Sequence, residues 1–319
     1  MQPDADAIAA RRSLRRKLTF WRAASLVVLA GCVLVVGLLF SDDKGRAAFT
    51  DHIARVRIDG LITGDARTLE LLAEIKKDAH VKAVILRIDS PGGTTAGSEA
   101  LYDSLKDLAA DKPLVAVMDT VAASGGYIAA LPAHRIIARG NTITGSIGVI
   151  FQMPEVSRLL EIAGVRMETV KSGELKAEPS PYAPASPQAR ALSEAMVADG
   201  FKWFSGLVAE RRKLSAQNMA LIADGRVFTG RQALETGLID ALGGEKEARA
   251  WLESAKNLPK GLEVIEHEPE PMELSGPFGV RLLNLGLSAI GLAPLADAIE
   301  KAFLSETLRL DGLLSLWQP

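Results

Sequence analysis

The sequence predicts an α/β domain with a mostly parallel sheet, and two observations support this fold class. Four runs are rich in β-branched and apolar residues, and two of them, AVILRI and LVAVM, are almost continuously apolar, as expected of strands buried on both faces. Segments with apolar residues at helical spacing separate these runs, so strand and helix alternate along the chain. The predicted strands begin at Ile53, Val81, Pro113 and His134.

The predicted helices follow from the same spacing. Residues 66–79 and residues 97–109 each place leucines or isoleucine on one face, between the first three strands. A longer helical pattern opens at Ser186-Pro187 and runs to about Lys213. Two shorter helical stretches follow, and the second ends at a pair of glycines. The later part of the domain is therefore predicted to be more helical than the first.

Composition excludes several classes of function. The chain has 319 residues, 48% of them apolar, which is enough for a large core, and a net charge of −2 gives no sign of a nucleic-acid partner. The one cysteine, Cys32, rules out an intramolecular disulfide framework and a multi-cysteine zinc site. The four histidines are scattered without metal-ligand spacing. We therefore predict neither a metal site nor a cofactor.

The N-terminal region has the pattern of a membrane anchor. Residues 1–22 are rich in arginine and lysine, and residues 23–40 are uncharged and apolar. A helix of that length is about 27 Å long, close to the hydrocarbon thickness of about 30 Å. The positive-inside rule predicts a cytoplasmic N-terminus, a single-pass signal-anchor at 23–40, and export of the remainder. Cleavage as a signal peptide, or lipidation at Cys32 in LAGC, remains possible at this point.

The chain after the anchor divides into two parts. Residues 41–265 contain the predicted strands and helices and form the expected domain. Residues 266–319 begin with a linker-like EPEP stretch and continue as an apolar, glycine-rich tail. This tail could pack on its own domain, pack on a second subunit, lie on a membrane surface or be weakly ordered, and its role is open.

Candidate chemistry lies in loops that follow predicted strands, where α/β proteins place ligands. In DSPGGT, residues 89–94, free backbone N–H groups could hold an oxyanion, with Gly93 the candidate donor. In VAASGGY, Ser124 is either a nucleophile, with the N–H of Gly125 as a second donor, or a helix cap. In TGSIG, Gly145 and Gly148 bracket Ser146 and indicate a bulge or a close backbone approach.

A nucleophilic serine needs a base, and the histidines are poorly placed for that role. His134 would lie at the far end of a short helix. His52 lies close to the anchor, His80 lies at the end of a polar helix, and His267 lies in the linker. A neutral lysine can serve instead, because burial disfavours the charged form and lowers a lysine pKa below its ordinary value of about 10.4. The stretch VKSGELKAEPSPY offers two candidates, Lys171 and Lys176.

Five motifs together, DSPGG, AASGGYIAA, TGSIGV, SGELKAEPSPY and FTGRQALETGLIDALGG, resemble the bacterial signal peptide peptidase A family in order and spacing. The resemblance covers roughly residues 53–255 and implies a Clp-protease/crotonase-like spiral fold with a Ser–Lys dyad. It implies Ser124 as nucleophile, Lys176 as general base and Ser146 as the residue that orients the lysine. Gly93 and Gly125 would form the oxyanion hole.

The resemblance also implies substrates, assembly and location. Single copies of the motifs indicate the short form, whose members form octameric rings in which neighbouring subunits complete each site. Expected substrates are cleaved signal peptides and other unfolded apolar segments, at the periplasmic side of a bacterial inner membrane. Two alternatives remain: a crotonase-like acyl-transfer enzyme, and a membrane-anchored scaffold or chaperone ring without proteolysis. The sequence leaves open whether Ser124 and Lys176 meet within or between subunits.

Overall fold

The predicted strands pair in a mixed, mostly parallel sheet. The computed structural model describes residues 50–269 and 314–316, with residues 17, 20–22, 24–29 and 31 near the N-terminus. The strands are β1 (His52–Ile62), β2 (Val81–Thr94), β3 (Leu114–Ala123), β4 (Arg135–Ala138), β5 (Ile143–Gly145), β6 (Val227–Thr229), β7 (Ala241–Leu242), β8 (Glu263–Glu266) and β9 (Leu314–Leu316). The helices are α1 (Ala66–Lys77), α2 (Thr95–Asp111), α3 (Gly125–Ala130), α4 (Ser157–Ile162), α5 (Pro187–Arg212), α6 (Ala216–Ile222), α7 (Gly230–Glu235) and α8 (Glu245–Ala255).

The sheet order in the described part of the chain is β6-β5-β3-β2-β1-β8, and β4 also pairs with β3 and β7. All these pairs are parallel except β5 with β6, which are antiparallel. The ninth strand, β9, pairs antiparallel with the end of β2. The carboxyl ends of β2 and β3 therefore lie side by side, and the residues that follow them meet at one edge region of the sheet.

Apolar clusters on both faces of the sheet explain the nearly continuous apolar run of β2. Val84, Leu86 and Ile88 belong to the larger cluster, whereas Ala83 and Ile85 belong to the smaller one. Successive side chains of a strand point to opposite faces, so both faces need apolar residues. Helices α1, α2, α3 and α5 cover the larger cluster, and α8 covers the smaller one.

The long helix α5 begins where its sequence signal predicts. Ser186 accepts a hydrogen bond from the Ala189 N–H at 3.1 Å, and Pro187 occupies the first helical turn, where its missing N–H costs nothing. The helix ends at Lys213, which has a left-handed conformation with φ of 53°. The predicted bounds of this helix are thus confirmed within one residue.

The prediction that residues 89–94 form a loop is wrong. Strand β2 continues through Pro91, Gly92 and Gly93 to Thr94, because Leu61 and Ile62 of β1 pair with Gly92 and Gly93. Two register shifts interrupt the pairing near this point, one with β1 after Asp59 and one with β3 after Ile88. The glycines therefore belong to a bulged strand end.

The two ends of the chain are only partly described. Most of the predicted anchor, residues 23–40, lies outside the described residues, and among the residues that the structure does describe no helix is long and apolar enough to cross a membrane. At the other end, Leu314–Leu316 of the predicted tail form β9, which pairs with Gly92–Thr94. Part of the tail is thus placed on the same strand end as Gly93.

Candidate active site

Ser124 lies on a sharp turn between strand β3 and helix α3. Its backbone has φ of 53° and ψ of −117°, a conformation that residues other than glycine rarely adopt. The Ser124 N–H donates to the Gly145 carbonyl at 2.8 Å, and the Ser124 carbonyl accepts from the Ile128 N–H at 3.0 Å. Among the described residues of this turn, the serine side chain makes no capping bond to α3. Ser124 is therefore the N-cap residue of α3 by position, as one interpretation predicted, but its hydroxyl does not cap the helix.

The turn resembles the strained strand-to-helix elbow that presents nucleophilic serines in other α/β enzymes. The hydrogen bonds of the Ser124 N–H to Gly145 and of the Ser124 carbonyl to Ile128 hold the serine in its unusual backbone conformation. Ser124 is 1% exposed. A buried hydroxyl on a rigid turn is well placed for attack on a bound group, since little water competes with it.

Gly93 and Gly125 lie against each other beside Ser124. A Cβ atom built on Gly125 would lie 3.1 Å from the Gly93 nitrogen, and it would overlap the Ser98 hydroxyl. A Cβ atom on Gly93 would overlap the Ile62 carbonyl, and one on Gly126 would lie 2.5 Å from the Ser90 carbonyl. Side chains are therefore excluded at these three positions. The packing thus brings the backbones of Gly93 and Gly125 close together beside Ser124, where the resemblance implies an oxyanion hole.

Ser146 follows strand β5, the neighbour of β3. Ala123 of β3 pairs with Gly145 of β5, so Ser124 and Ser146 are the residues that directly follow a matched pair. Ser146 has φ of 50°, and its N–H donates to the Arg226 carbonyl at 2.8 Å. Its side chain is buried, as is that of Ser124. The structure therefore places the two serines on adjacent strand ends.

An open cleft of about 780 Å³ begins at Ser146. The strand-like residues 147–151 form one wall and α5 forms another, and much of the lining is apolar, including Ile147, Val149, Phe151, Val197 and Phe201. Arg190, Glu194 and Asp224 lie at the same cleft. A cleft of this size and composition suits apolar side chains of a peptide.

Lys176 lies on an exposed segment of the chain, residues 150–185. The lysine is exposed. Its backbone N–H donates to the Gly173 carbonyl at 3.1 Å, in a short turn outside the cleft. The other candidate, Lys171, forms an ion pair with Glu178. Within one chain, then, the structure groups Gly93, Ser124, Gly125 and Ser146, and it leaves Lys176 at the surface.

The four histidines have other places in the fold. The rings of His52 and His267 stack with centroids 5.2 Å apart, and their Nε2 atoms are 2.9 Å apart. His80 lies 3.3 Å from Asp51. Nδ1 of His134 accepts a hydrogen bond from the Leu114 N–H at 3.2 Å, and burial and the charge of Lys256 lower its pKa. Their local contacts give each histidine a structural role at the start of β1, β2 or β3.

Sequence reasoning missed two buried serines behind the glycines. The Ser90 hydroxyl donates to the Gly60 carbonyl at 2.6 Å and accepts from the Gly92 N–H at 3.1 Å. The Ser98 hydroxyl donates to the Thr94 carbonyl at 2.9 Å and lies against Gly125. Both serines are 0% exposed. The sequence signal for Ser90 was its position inside DSPGG. Only the pairing of β2 with β1 shows that its hydroxyl hydrogen-bonds Gly60 and Gly92.

Comparison with known proteins identifies relatives of this chain. The model of peptidase family S49 matches residues 106–259. An Enterococcus faecium protein named "Putative signal peptide peptidase SppA" is 36% identical over 237 residues, which are 70% of this chain and 69% of that one. The chloroplastic serine protease SPPA of Arabidopsis thaliana is 34% identical over 290 residues, which are 85% of this chain and 42% of that one. Protease 4 of Salmonella typhi is 36% identical over 245 residues, covering 75% and 39% of the two chains.

Each of these relatives matches at least 70% of this chain. The region matched by the family model contains Ser124, Gly125, Gly126 and the exposed segment 150–185 that carries Lys176. The resemblance inferred from five short motifs is thus confirmed by relatives that match 70% to 85% of this chain. The chain belongs to peptidase family S49, and it is a serine peptidase of the signal peptide peptidase A type.

Proposed function

We propose that the protein is a membrane-anchored endopeptidase that cleaves signal peptides and other unfolded apolar segments with a Ser124–Lys176 dyad. In this mechanism neutral Lys176 accepts the Ser124 proton as the serine attacks a peptide carbonyl. The N–H groups of Gly93 and Gly125 stabilise the oxyanion. Lys176 then protonates the leaving amine and activates water for deacylation, while Ser146 orients the lysine amine.

The observation that carries the proposal is the strained, buried Ser124 beside two glycines that exclude side chains. Strain of this kind costs about 1–3 kcal/mol and persists where the surrounding structure holds it, most often at functional sites. A scaffold that only binds partners has no need of such a turn. A crotonase-like acyl-transfer enzyme could share the Clp-protease/crotonase-like spiral fold that we propose for this sheet, but it would have no use for Lys176.

We propose further that Lys176 acts on Ser124 of a neighbouring subunit in a ring of eight. Lys176 is exposed in the single chain, and the 150–185 segment carries exposed apolar side chains such as Ile162 and Val170, which are 78% and 95% exposed. Exposed apolar residues that cluster on one segment favour burial against another chain. Burial there would also remove water from Lys176, as its role as a neutral base requires.

The cleft next to Ser146 supports apolar substrates. Its apolar walls can accept the leucine, valine and alanine side chains that dominate signal peptides. The basic N-terminus and residues 23–40 support anchoring in a bacterial inner membrane, with the peptidase domain on the periplasmic side. Substrates left in that membrane would then lie close to the ring.

The experiment is digestion of synthetic signal peptides by the full chain in detergent, with mass mapping of the products. We expect wild type to cleave at defined apolar sites, and we expect Ser124→Ala and Lys176→Ala each to lose at least 1,000-fold in kcat/KM, since each removes a member of the dyad. Lys171→Ala, which removes the other lysine of the same segment, is the matched control and should keep near wild-type activity.

Mixing the two inactive variants tests where the dyad forms. Co-assembled Ser124→Ala and Lys176→Ala chains should regain part of the activity if the two residues come from neighbouring subunits, and none if they come from one chain. Full activity of either single variant would contradict the dyad. Peptide binding without turnover by wild type would favour the scaffold interpretation.

A further inference from the structure

Strand β2 changes register where it approaches the site. Asp59 of β1 pairs with Asp89 of β2, and the pairing resumes with Leu61 opposite Gly92. One residue of β1, Gly60, thus faces two residues of β2, Ser90 and Pro91. Such a bulge interrupts the regular ladder and leaves nearby backbone groups in need of other partners.

The Ser90 side chain supplies those partners. Its hydroxyl donates to the Gly60 carbonyl at 2.6 Å and accepts from the Gly92 N–H at 3.1 Å. One buried hydroxyl therefore joins the two strands across the gap, and its partner on β2 is the residue just before Gly93. Both glycines have positive φ, 68° at Gly60 and 113° at Gly92, so each backbone has unusual freedom that the serine restrains.

Ser90 also contacts the nucleophile turn. It pairs with Ala122 of β3, two residues before Ser124, and its carbonyl would lie 2.5 Å from a Cβ atom on Gly126. Ser90 thus lies on the strand that carries Gly93 and contacts the turn that carries Ser124 and Gly125. A shift at Ser90 would change the distance between the two N–H groups of the oxyanion hole.

We propose that Ser90 is a positioning residue of this serine peptidase, whose hydroxyl sets the Gly92–Gly93 peptide so that the Gly93 N–H faces the developing oxyanion beside Gly125. The role rests on the proposed function of Ser124, Gly93 and Gly125. Ser90 does not touch substrate. It acts through the geometry of Gly93, so its loss affects the transition state more than the bound substrate.

The chain offers a matched control for this role. Thr142 is 1% exposed, its hydroxyl donates to the Asp119 carbonyl at 2.6 Å, and the hydroxyl accepts from the Arg139 N–H at 3.0 Å. It therefore bridges a carbonyl and an N–H in the same manner as Ser90, but it does so away from Gly93. Thr142→Val and Ser90→Ala remove equivalent hydrogen bonds, and we expect them to lower the unfolding temperature by similar amounts.

The test compares kcat, KM and inhibition by a peptide boronate, which forms a tetrahedral adduct with a nucleophilic serine. The enzyme concentration used to calculate kcat is the concentration of reactive Ser124, measured by titration with a fluorophosphonate. We expect Ser90→Ala to lose about tenfold or more in kcat, somewhat less than the roughly 100-fold or greater loss on deleting an oxyanion donor, with KM changed less than about threefold. The boronate inhibition constant should rise as kcat/KM falls. Thr142→Val should keep kcat within about twofold of wild type.

Several outcomes would overturn the role. A Ser90→Ala kcat equal to that of Thr142→Val, or a loss confined to KM, would overturn it while leaving Ser124 as nucleophile. If Ser90→Ala does not assemble, Ser90→Cys, which keeps the volume with a weaker donor, replaces it and should show an intermediate loss in kcat. Retained activity in Ser124→Ala would overturn the proposed function, and the role of Ser90 with it.

Discussion

Ser124 combines two properties that conflict in an ordinary residue. It keeps a Cβ atom and a hydroxyl at a position whose φ of 53° and ψ of −117° favour glycine. The neighbours Gly125 and Gly126 are already glycines, because side chains there would meet Ser98 and Ser90. At the residue scale, then, lack of space explains the glycines at 125 and 126, and the backbone strain of this turn lies on Ser124.

A glycine at position 124 should therefore stabilise the fold. Both Ser124→Ala and Ser124→Gly remove the hydroxyl and should be inactive, but only the glycine relieves the backbone strain, worth about 1 kcal/mol or more at positive φ. We expect Ser124→Gly to unfold about 2–4 °C above Ser124→Ala in thermal unfolding of the full chain. An alanine variant as stable as the glycine variant would show that the turn is not strained.

The sequence predicted Ser124 as the candidate nucleophile but not its backbone conformation. VAASGGY shows a serine among small residues, which is compatible with a cap and with an elbow. The choice between them depends on the hydrogen bond from Ser124 to Gly145 and on pairing of β3 with β5, both of which join residues distant in sequence. The position of Lys176 relative to Ser124 depends on a second chain under our proposal, so a single sequence carries no local signal for it.

At the scale of elements, predictions succeeded where local pattern and packing agree. Strands β1 and β3 and helices α1, α2 and α5 appear close to their predicted bounds, because apolar periodicity decides both their type and their buried face. The end of β2 was predicted as a loop, since Pro91, Gly92 and Gly93 favour turns locally. Pairing with β1 on one side and β9 on the other outweighs that preference.

Arg212, near the end of α5, joins this helix to the sheet. Its guanidinium donates to Asp240 Oδ1 at 2.7 Å and to the Gly237 carbonyl at 2.8 Å, while Asp240 Oδ2 accepts from the Ile136 N–H of β4 at 2.7 Å. Burial alone would lower the pKa of Arg212, but the hydrogen bonds and charge of Asp240 raise it above its ordinary value. These contacts hold the C-terminal end of α5 against the sheet.

Removal of the Arg212 charge should destabilise the domain. Arg212→Leu leaves the partly buried Asp240 without its cation, which we expect to cost about 2–4 kcal/mol in the free energy of unfolding by urea. The exposed pair of Arg226 with Asp224 is the control, since surface ion pairs are screened by water, and Arg226→Leu should unfold at nearly the wild-type urea concentration. Equal losses in the two variants would contradict a special role for the α5 contact.

At the scale of the whole molecule, the proposed mechanism makes the C-terminal tail and a bound peptide require the same backbone. Residues 314–316 pair antiparallel with Gly92–Thr94, as an extended peptide adds to the edge of a sheet. A substrate whose carbonyl reaches the N–H of Gly93 must lie along this strand end. Under this mechanism we expect the apolar tail, whose role the sequence left open, to compete with substrate.

Weakening β9 should lower the apparent KM for short peptides. Ser315→Pro removes a backbone N–H and disfavours strand pairing, whereas Ser315→Ala leaves the backbone unchanged and is the control. Because only chains with an open edge bind peptide, a tail that covers the edge nine-tenths of the time would raise the apparent KM about tenfold. We expect Ser315→Pro to recover that factor with little change in kcat, measured with a fluorogenic peptide. An unchanged KM in the proline variant would mean that β9 leaves the edge open to substrate in solution.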